Sequence, residues 1–357
     1  TIPPTPVAEG PSPMPDDATP AIQYLNLDPA LYVREDIWQE ERRRIFARTW
    51  QFMGPLSSVA SPGDYLAIDI AGTPVFAIRG RDGALRGFRN VCRHRGAKLL
   101  ADGAGQCGLV VCPYHKWSYS DTGRLVQAPW YGRDPAIVPE DWPLHPVHLA
   151  EWRGLLFAAL DPEGPLLDQL GDLPAELTDE PMETYSATDS ATVSFDANWK
   201  VYTDNFVEGY HIPGTHPSFY AAIDFDAFET TAHRGYVRMT APPKEGLFYR
   251  GKWLWMWPNW TLSLFAGGMN VSRINPVGPH RTDQHYHFFF ADTSDAAAPS
   301  RAKSVQGTLG VVREDTQVCS ETHRNYMAGA YDPGPLSGRH EKGVQYFQTC
   351  VIRALGL

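Results

Sequence analysis

Asn90-Val91-Cys92-Arg93-His94-Arg95-Gly96 and Cys112-Pro113-Tyr114-His115-Lys116-Trp117 are the stretches whose reading decides the fold. Each brings one thiol and one imidazole close together in the chain, Cys92 with His94 and Cys112 with His115, and 17 residues separate the two pairs. Two Cys and two His form a metal-binding set. A [2Fe–2S] cluster accepts it, with two thiolates on one iron and two imidazoles on the other, and the neutral ligands raise its potential above that of an all-Cys cluster. A structural zinc ion also accepts Cys2His2. Zinc fingers usually pair Cys with Cys and His with His, so one of each in both loops favours the cluster.

The flanks read as β-structure. Between Trp50 and Pro162 lie the short apolar runs Tyr65-Leu66-Ala67-Ile68, Thr73-Pro74-Val75-Phe76-Ala77-Ile78, Gly108-Leu109-Val110-Val111 and Leu155-Leu156-Phe157-Ala158-Ala159. Turn signals at Ser61-Pro62-Gly63-Asp64, Arg81-Asp82-Gly83 and Asp121-Thr122-Gly123 separate them, which predicts an antiparallel, all-β module with both ligand loops at hairpin tips. The two loops resemble the cluster loops of the Rieske non-haem iron oxygenases. They differ from those of respiratory Rieske subunits, which carry an extra Cys in each loop; Cys107 has no partner so placed and reads as a small buried thiol.

The second half of the chain shows a possible destination for the electrons. In Asn198-Trp199-Lys200-Val201-Tyr202-Thr203-Asp204-Asn205-Phe206-Val207-Glu208-Gly209-Tyr210-His211-Ile212-Pro213-Gly214-Thr215-His216-Pro217, two His stand five positions apart. One regular helix face cannot present both, but Pro213-Gly214 breaks the helix between them and lets both rings meet one metal. Two imidazoles and one carboxylate make the facial triad that holds Fe(II) with open positions. Two surface His beside a loop are the bland alternative. The stretch also resembles the family's iron motif, acid-x2-His-x4-His.

The carboxylate is sought on a predicted helix from Arg301 to Met327, where Val305, Leu309, Val311, Val312, Val318 and Cys319 fill a broad apolar arc. Asp315 falls inside that arc and Glu314 projects away from it. An acid in an apolar stripe is costly unless paired or metal-bound, so Asp315 is the expected third ligand and Glu314 a solvated neighbour. An inward Asp bonded to another helix is the alternative. The resemblance agrees, because Glu314-Asp315-Thr316-Gln317-Val318-Cys319 is similar to the ligand-bearing helix of one branch of the family.

Glu208 lies three residues before His211, on the same helical face. The resemblance implies that it joins the two metal centres across a subunit boundary, accepting a hydrogen bond from a cluster His of one protomer and an iron His of the next. Metal-bound His usually donates its second N–H to such a partner. Many members have Asp here; Glu is shared with the branch acting on carnitine, glycine betaine and stachydrine. Asp204 and Asn205 are either further hydrogen-bonding partners of the site or ordinary helix-surface residues.

The resemblance further implies an oxygenase component, a homotrimer, that passes electrons from the cluster of one subunit to the mononuclear Fe(II) of its neighbour and uses O2 to attack C–H or C=C. No Gly-x-Gly-x-x-Gly nucleotide fingerprint occurs in the chain. Reducing equivalents from NAD(P)H are therefore expected through a separate reductase, with or without a ferredoxin. Arg93, Arg95 and Lys98 are candidates for docking an acidic donor, or simply solvated loop charges.

Composition is compatible. A net charge of −10 leaves no basic footprint for nucleic acid. Of five Cys, two belong to the ligand loops, and the odd remainder (Cys107, Cys319, Cys350) suggests no disulfide framework, hence a reducing cytoplasm. Residues 1–20 read as a disordered, Pro-rich acidic tail without the apolar core of an ordinary signal peptide, and no run reaches membrane-spanning length. The expected organisation is α+β: a helical segment over 21–47 packing on the catalytic domain, a Rieske module over 48–162, and a catalytic mononuclear iron domain over 163–357. The resemblance implies that the last is of the helix-grip class, a curved antiparallel sheet around a long helix. Strands are predicted at Thr192-Val193-Ser194-Phe195, Thr261-Leu262-Ser263-Leu264-Phe265 and Gln284-His285-Tyr286-His287-Phe288-Phe289-Phe290, with His285 and His287 structural.

Substrate is least legible. Lys252-Trp253-Leu254-Trp255-Met256-Trp257-Pro258-Asn259-Trp260 puts Trp253, Trp255 and Trp257 on one strand face, either as core or as a pocket for a flat ring or a quaternary ammonium held by cation–π attraction. Asp332-Pro333-Gly334-Pro335-Leu336-Ser337 with Glu341 and Phe347 resembles the ammonium-oxidising branch, whereas Gly209 stands where that branch often has Cys. Three functions stay open: a terminal oxygenase that hydroxylates or oxidatively demethylates a small organic molecule, a ring-dihydroxylating dioxygenase α subunit with a β partner, and a pure Rieske electron carrier.

Overall fold

The computed structural model describes residues 25–133, 136–245 and 249–357. The expected tail over 1–20, and the first residues of the 21–47 segment, lie outside the described residues. The segment that follows is helical: α1 (Ala30–Val33), α2 (Glu35–Glu41) and one wide π-type turn, Arg42–Phe46.

Ten short strands come next: β1 (Gln51–Pro55), β2 (Asp64–Ile70), β3 (Thr73–Arg79), β4 (Leu85–Arg89), β5 (Gly103–Gln106), β6 (Val110–Val111), β7 (Ser118–Tyr119), β8 (Leu125–Gln127), β9 (Pro146–Trp152) and β10 (Leu155–Ala159). Seven of them form an antiparallel sheet in the order β1-β10-β9-β4-β3-β2-β5, and β6-β7-β8 form a smaller one. Three of the predicted apolar runs supply buried positions of the larger sheet, and β10 is buried along its whole length; the fourth, Gly108-Leu109-Val110-Val111, ends on β6 and buries only Val110. Two short helices, α3 (Leu166–Leu170) and α4 (Leu173–Glu176), follow β10 in a Pro- and acid-rich stretch.

The second half is built on seven antiparallel strands, β11 (Ser186–Phe195), β12 (Glu229–His233), β13 (Tyr236–Thr240), β14 (Tyr249–Met256), β15 (Trp260–Phe265), β16 (Gly268–Gly278) and β17 (Arg281–Phe290), ordered β11-β17-β16-β15-β14-β13-β12. Between β11 and β12 come α5 (Trp199–Phe206), α6 (Ile212–Thr215) and α7 (Pro217–Ala222); after β17 come α8 (Ala298–Met327) and α9 (Lys342–Leu355). Asn198 caps α5 by accepting from the Lys200 N–H at 3.0 Å. The inward residues of α8, Thr308, Val312, Asp315, Cys319, His323 and Tyr326, recur every three or four positions, so one stripe of the 30-residue helix faces the sheet and α5. This is the α+β, helix-grip arrangement expected.

The helical N-terminal segment docks on the second half through a fully buried ion pair, Lys200 with Glu41, whose other oxygen accepts from Trp199 Nε1 at 2.9 Å. The two sheets meet face to face through Phe52, Phe157, Trp152 and Trp260. His287 belongs to this seam, edge-on to Phe52 at 5.6 Å, and burial pulls its pKa down to about 4. His285 bonds Thr192 at 3.0 Å and is likewise pulled down by burial, to about 3. Both are structural, as expected.

Candidate metal centres and active site

The two ligand loops are the same turn built twice. Cys92 N–H donates to Ala97 O and Gly96 N–H to Cys92 O; Cys112 N–H donates to Trp117 O and Lys116 N–H to Cys112 O. The residue four places after each Cys has positive φ, 72° at Gly96 and 60° at Lys116. Only the second loop sits at a hairpin tip, between β6 and β7. The first joins β4 to β5, which do not pair with each other, and a single Val91–Lys98 bridge closes it. The expectation of two hairpin tips is corrected on this point: the local turn geometry, rather than strand pairing, is what the loops share.

Cys92 and Cys112 are buried at 3% and 1% exposure, close enough to interact, and burial pushes the Cys92 thiol pKa up. Tyr119 O–H lies 3.4 Å from Cys92 Sγ and accepts from the Arg93 N–H at 3.1 Å. The imidazoles stand outside: His94 is exposed, its ring 4.6 Å from that of His115 and stacked on Trp117 at 4.8 Å. Zinc bonds of about 2.0–2.3 Å would draw all four donor atoms to one point. Among the described residues, three or more such donors converge within 4.8 Å at one place only, and it is not here. Thiols paired inside and imidazoles paired outside fit a two-iron cluster. Of the nearby cations, Arg93 is held by Pro143 O and the Trp142 face, Arg95 lies over Tyr114, and Lys98 pairs with Asp102.

That one place is His211, His216 and Asp315. The two His bracket α6, the single turn that Pro213-Gly214 permits, and Asp315 reaches them from the buried stripe of α8 at 7% exposure. Nε2 of His216 is 2.9 Å and Nε2 of His211 3.5 Å from Asp315 Oδ1. Each outer nitrogen is bonded as well. His211 Nδ1 donates to Glu208 Oε1 at 2.5 Å, and His216 Nδ1 to Glu314 Oε2 at 2.6 Å. Both rings are therefore turned with Nε2 inward, the orientation of metal-ligating His. Glu208 Oε2 also accepts from the Tyr210 N–H, which pins its carboxylate to the ligand loop.

Sequence reasoning missed Glu314. Its side chain is 51% exposed, as its position on α8 implies, yet its carboxylate turns back to the His216 ring. Asn205 donates to Asp315 Oδ1 at 2.8 Å and so belongs to the site. Asp204 does not; it accepts from Tyr32 O–H at 2.6 Å and Gln348 Nε2 at 3.1 Å. Burial lowers the His216 pKa, but Asp315 and Glu314 outweigh it and the net shift is upward. The surrounding acids favour positive charge at this point.

A cavity opens from the triad between α8 and the inner face of the second sheet. Its aromatic corner is Phe219, Tyr249 and Trp253, with ring centroids 5.3–6.2 Å apart and planes 64–84° to one another. Thr261, Ser263, Asn270 and Thr308 add neutral polar groups. Trp255 and Trp257 share the Trp253 face but are core, with Trp255 edge-on to Phe347, so only one Trp of that face reaches the cavity.

The chain matches the Rieske [2Fe-2S] domain over residues 49–140 and the ring hydroxylating alpha subunit (catalytic domain) over 182–356. It belongs to the Rieske non-haem iron oxygenases. Among its relatives, the carnitine monooxygenase oxygenase subunit of Escherichia coli (strain K12) is 28% identical over 344 residues, covering 90% of this chain and 91% of the relative. The chloroplastic choline monooxygenase of Spinacia oleracea is 25% identical over 359 residues, covering 96% and 79%. The crystal structure of the quaternary ammonium Rieske monooxygenase CntA with L-carnitine superimposes with a TM-score of 0.84 at 26% identity, covering 96% of this chain and 99% of that one. As a Rieske oxygenase component, this chain uses a [2Fe–2S] cluster, a mononuclear iron and electrons from a separate reductase. No helix among the described residues is long and apolar enough to cross a membrane.

Proposed function

We propose that this Rieske oxygenase component oxidises a small quaternary ammonium compound, hydroxylating a C–H bond near the nitrogen so that the substrate is either hydroxylated or loses an N-substituent. Cys92, His94, Cys112 and His115 hold the cluster; His211, His216 and Asp315 hold Fe(II). The two metal groups supply an electron relay and open positions for O2. Glu208 fixes His211 by its Nδ1–H, and in this reading it faces the His94–His115 edge of a neighbouring subunit. Transfer between subunits of a homotrimer follows, and CntA is described as using inter-subunit electron transfer. A cytoplasmic setting with a reductase, with or without a ferredoxin, completes the system.

The observation that carries the substrate is the charge and shape of the cavity. Three nearly perpendicular rings form a corner against His216, and aromatic faces attract an ammonium group. The described lining contains no Lys or Arg, while Glu208 adds negative charge. Residues 1–24, 134–135 and 246–248 contain no Lys or Arg either. An organic cation therefore meets aromatic faces and an acid, and no opposing Lys or Arg among the described lining. Carnitine- and choline-oxidising relatives support the same class.

Product analysis with a surrogate reductase tests this. Trimethylammonium substrates should give hydroxylated product or released amine or aldehyde, and aromatic acids should give none; the opposite result replaces this reading with ring oxidation. His211→Ala should keep the cluster's visible absorption, lower iron from about three to about two atoms per chain, and abolish product. Turnover in that variant would reject the assigned iron site.

A further inference from the structure

Gly209 lies between Glu208 and the ligand loop, and its backbone is not in the left-handed region that favours glycine. What excludes a side chain there is one neighbour. A Cβ on Gly209 would stand 2.4 Å from Phe228 Cε1 and 2.5 Å from Phe228 Cζ, closer than packed atoms approach. The missing side chain is thus replaced by a ring from another part of the chain. Phe228 lines the same cavity as Glu208 and His211. It is also backed by a column of rings. Phe225 lies 6.0 Å from it, His340 stacks on Phe225 at 5.6 Å and 14°, and Tyr210 stacks on His340 at 5.3 Å and 6°. Tyr210 immediately follows Gly209 and is 61% exposed, so the column runs from the surface to the cavity and both its ends rest on one dipeptide.

We propose that Phe228, seated in the gap left by Gly209 and braced by Phe225, His340 and Tyr210, is the specificity-determining wall that sets how bulky a substrate head fits beside His211. Gly209 on one side and the braced Phe225 on another limit how far the ring can retreat, so extra substituents on the substrate collide with it. The choice of probes rests on the ammonium reading; the size rule itself does not.

Binding of tetramethylammonium and tetraethylammonium to iron-loaded protein, measured by calorimetry, tests it. Native protein should prefer the smaller ion. Phe228→Ala should move the affinity ratio at least about tenfold toward the larger, the scale of discrimination that steric pockets provide. Phe228→Leu should move it the same way by less, and serves if the Ala variant does not fold. A ratio unchanged in both variants overturns the proposal. Independently, Gly209→Ala should lower the thermal midpoint in the native background and not in the Phe228→Ala background, because the collision is gone. Equal losses in both backgrounds also overturn it. If neither ammonium ion binds native protein while a one-ring aromatic acid does, the ammonium reading fails, and one-ring and two-ring acids then read the same size rule.

Discussion

Glu208 and Glu314 act alike from opposite sides of the iron site: each accepts the outer N–H of one His and so aims the inner nitrogen at Asp315. Partners of this kind typically change metal affinity about 10–100-fold when removed. Glu314→Gln is therefore expected to leave the fold and the cluster spectrum intact and to weaken Fe(II) binding by about tenfold or more, measured by chelator competition. Unchanged affinity would show that the 2.6 Å bond does not orient His216. Asp315 was legible because a lone carboxylate in an apolar stripe has to have a reason to be there. Glu314 was not, because its place on α8 points to solvent and only the fold brings the His216 ring under it. Gly209 was visible as a departure from its branch, but the sequence gives no sign that Phe228, 19 positions later, fills the space.

At the next scale, α5 is the element on which the site hangs, and it is clamped from outside. Asp204 on α5 accepts from Tyr32 on α1 and Gln348 on α9. It is half-buried, and desolvation raises its pKa to about 7 despite those bonds and the nearby Lys200. A raised folded-state pKa means that the neutral acid stabilises the fold: the contribution is complete below the unfolded value of about 3.9 and is lost as pH rises through about 7. The thermal midpoint of the native protein should thus fall relative to Asp204→Asn between about pH 5 and about pH 8, and the Asn variant should lack that slope. Parallel curves would place the Asp204 pKa outside this window. Elements themselves were easily read, since strand alternation and the period of α8 come from local chemistry. Connectivity was harder. The first ligand loop looks like a hairpin tip in sequence, yet β4 finds β9 and β5 finds β2, pairings chosen by distant strands.

For the whole molecule, the cluster loops present their imidazole edge to solvent while the iron site opens into the second half, and the electron transfer between subunits proposed above can be tested at this scale. Two inactive variants should therefore rescue one another. His94→Ala, deficient in the cluster, mixed and reassembled with His211→Ala, deficient in iron, is expected to regain a measurable fraction of native turnover. No recovery in verified mixed oligomers would mean that electrons stay within one chain. The described structure also has a temporal side. Leu25 pairs with Pro335, Gln348 Nε2 bonds Tyr32 at 3.2 Å, and Phe347 packs edge-on to Trp199 at 5.5 Å. Early and late segments are thus stitched together around α5. During synthesis the first sheet has all its strands once residue 159 is free, but the second half must wait for α9 to leave the ribosome before its hydrophobic centre can close. A translating ribosome would carry the complete first sheet beside a still open second half.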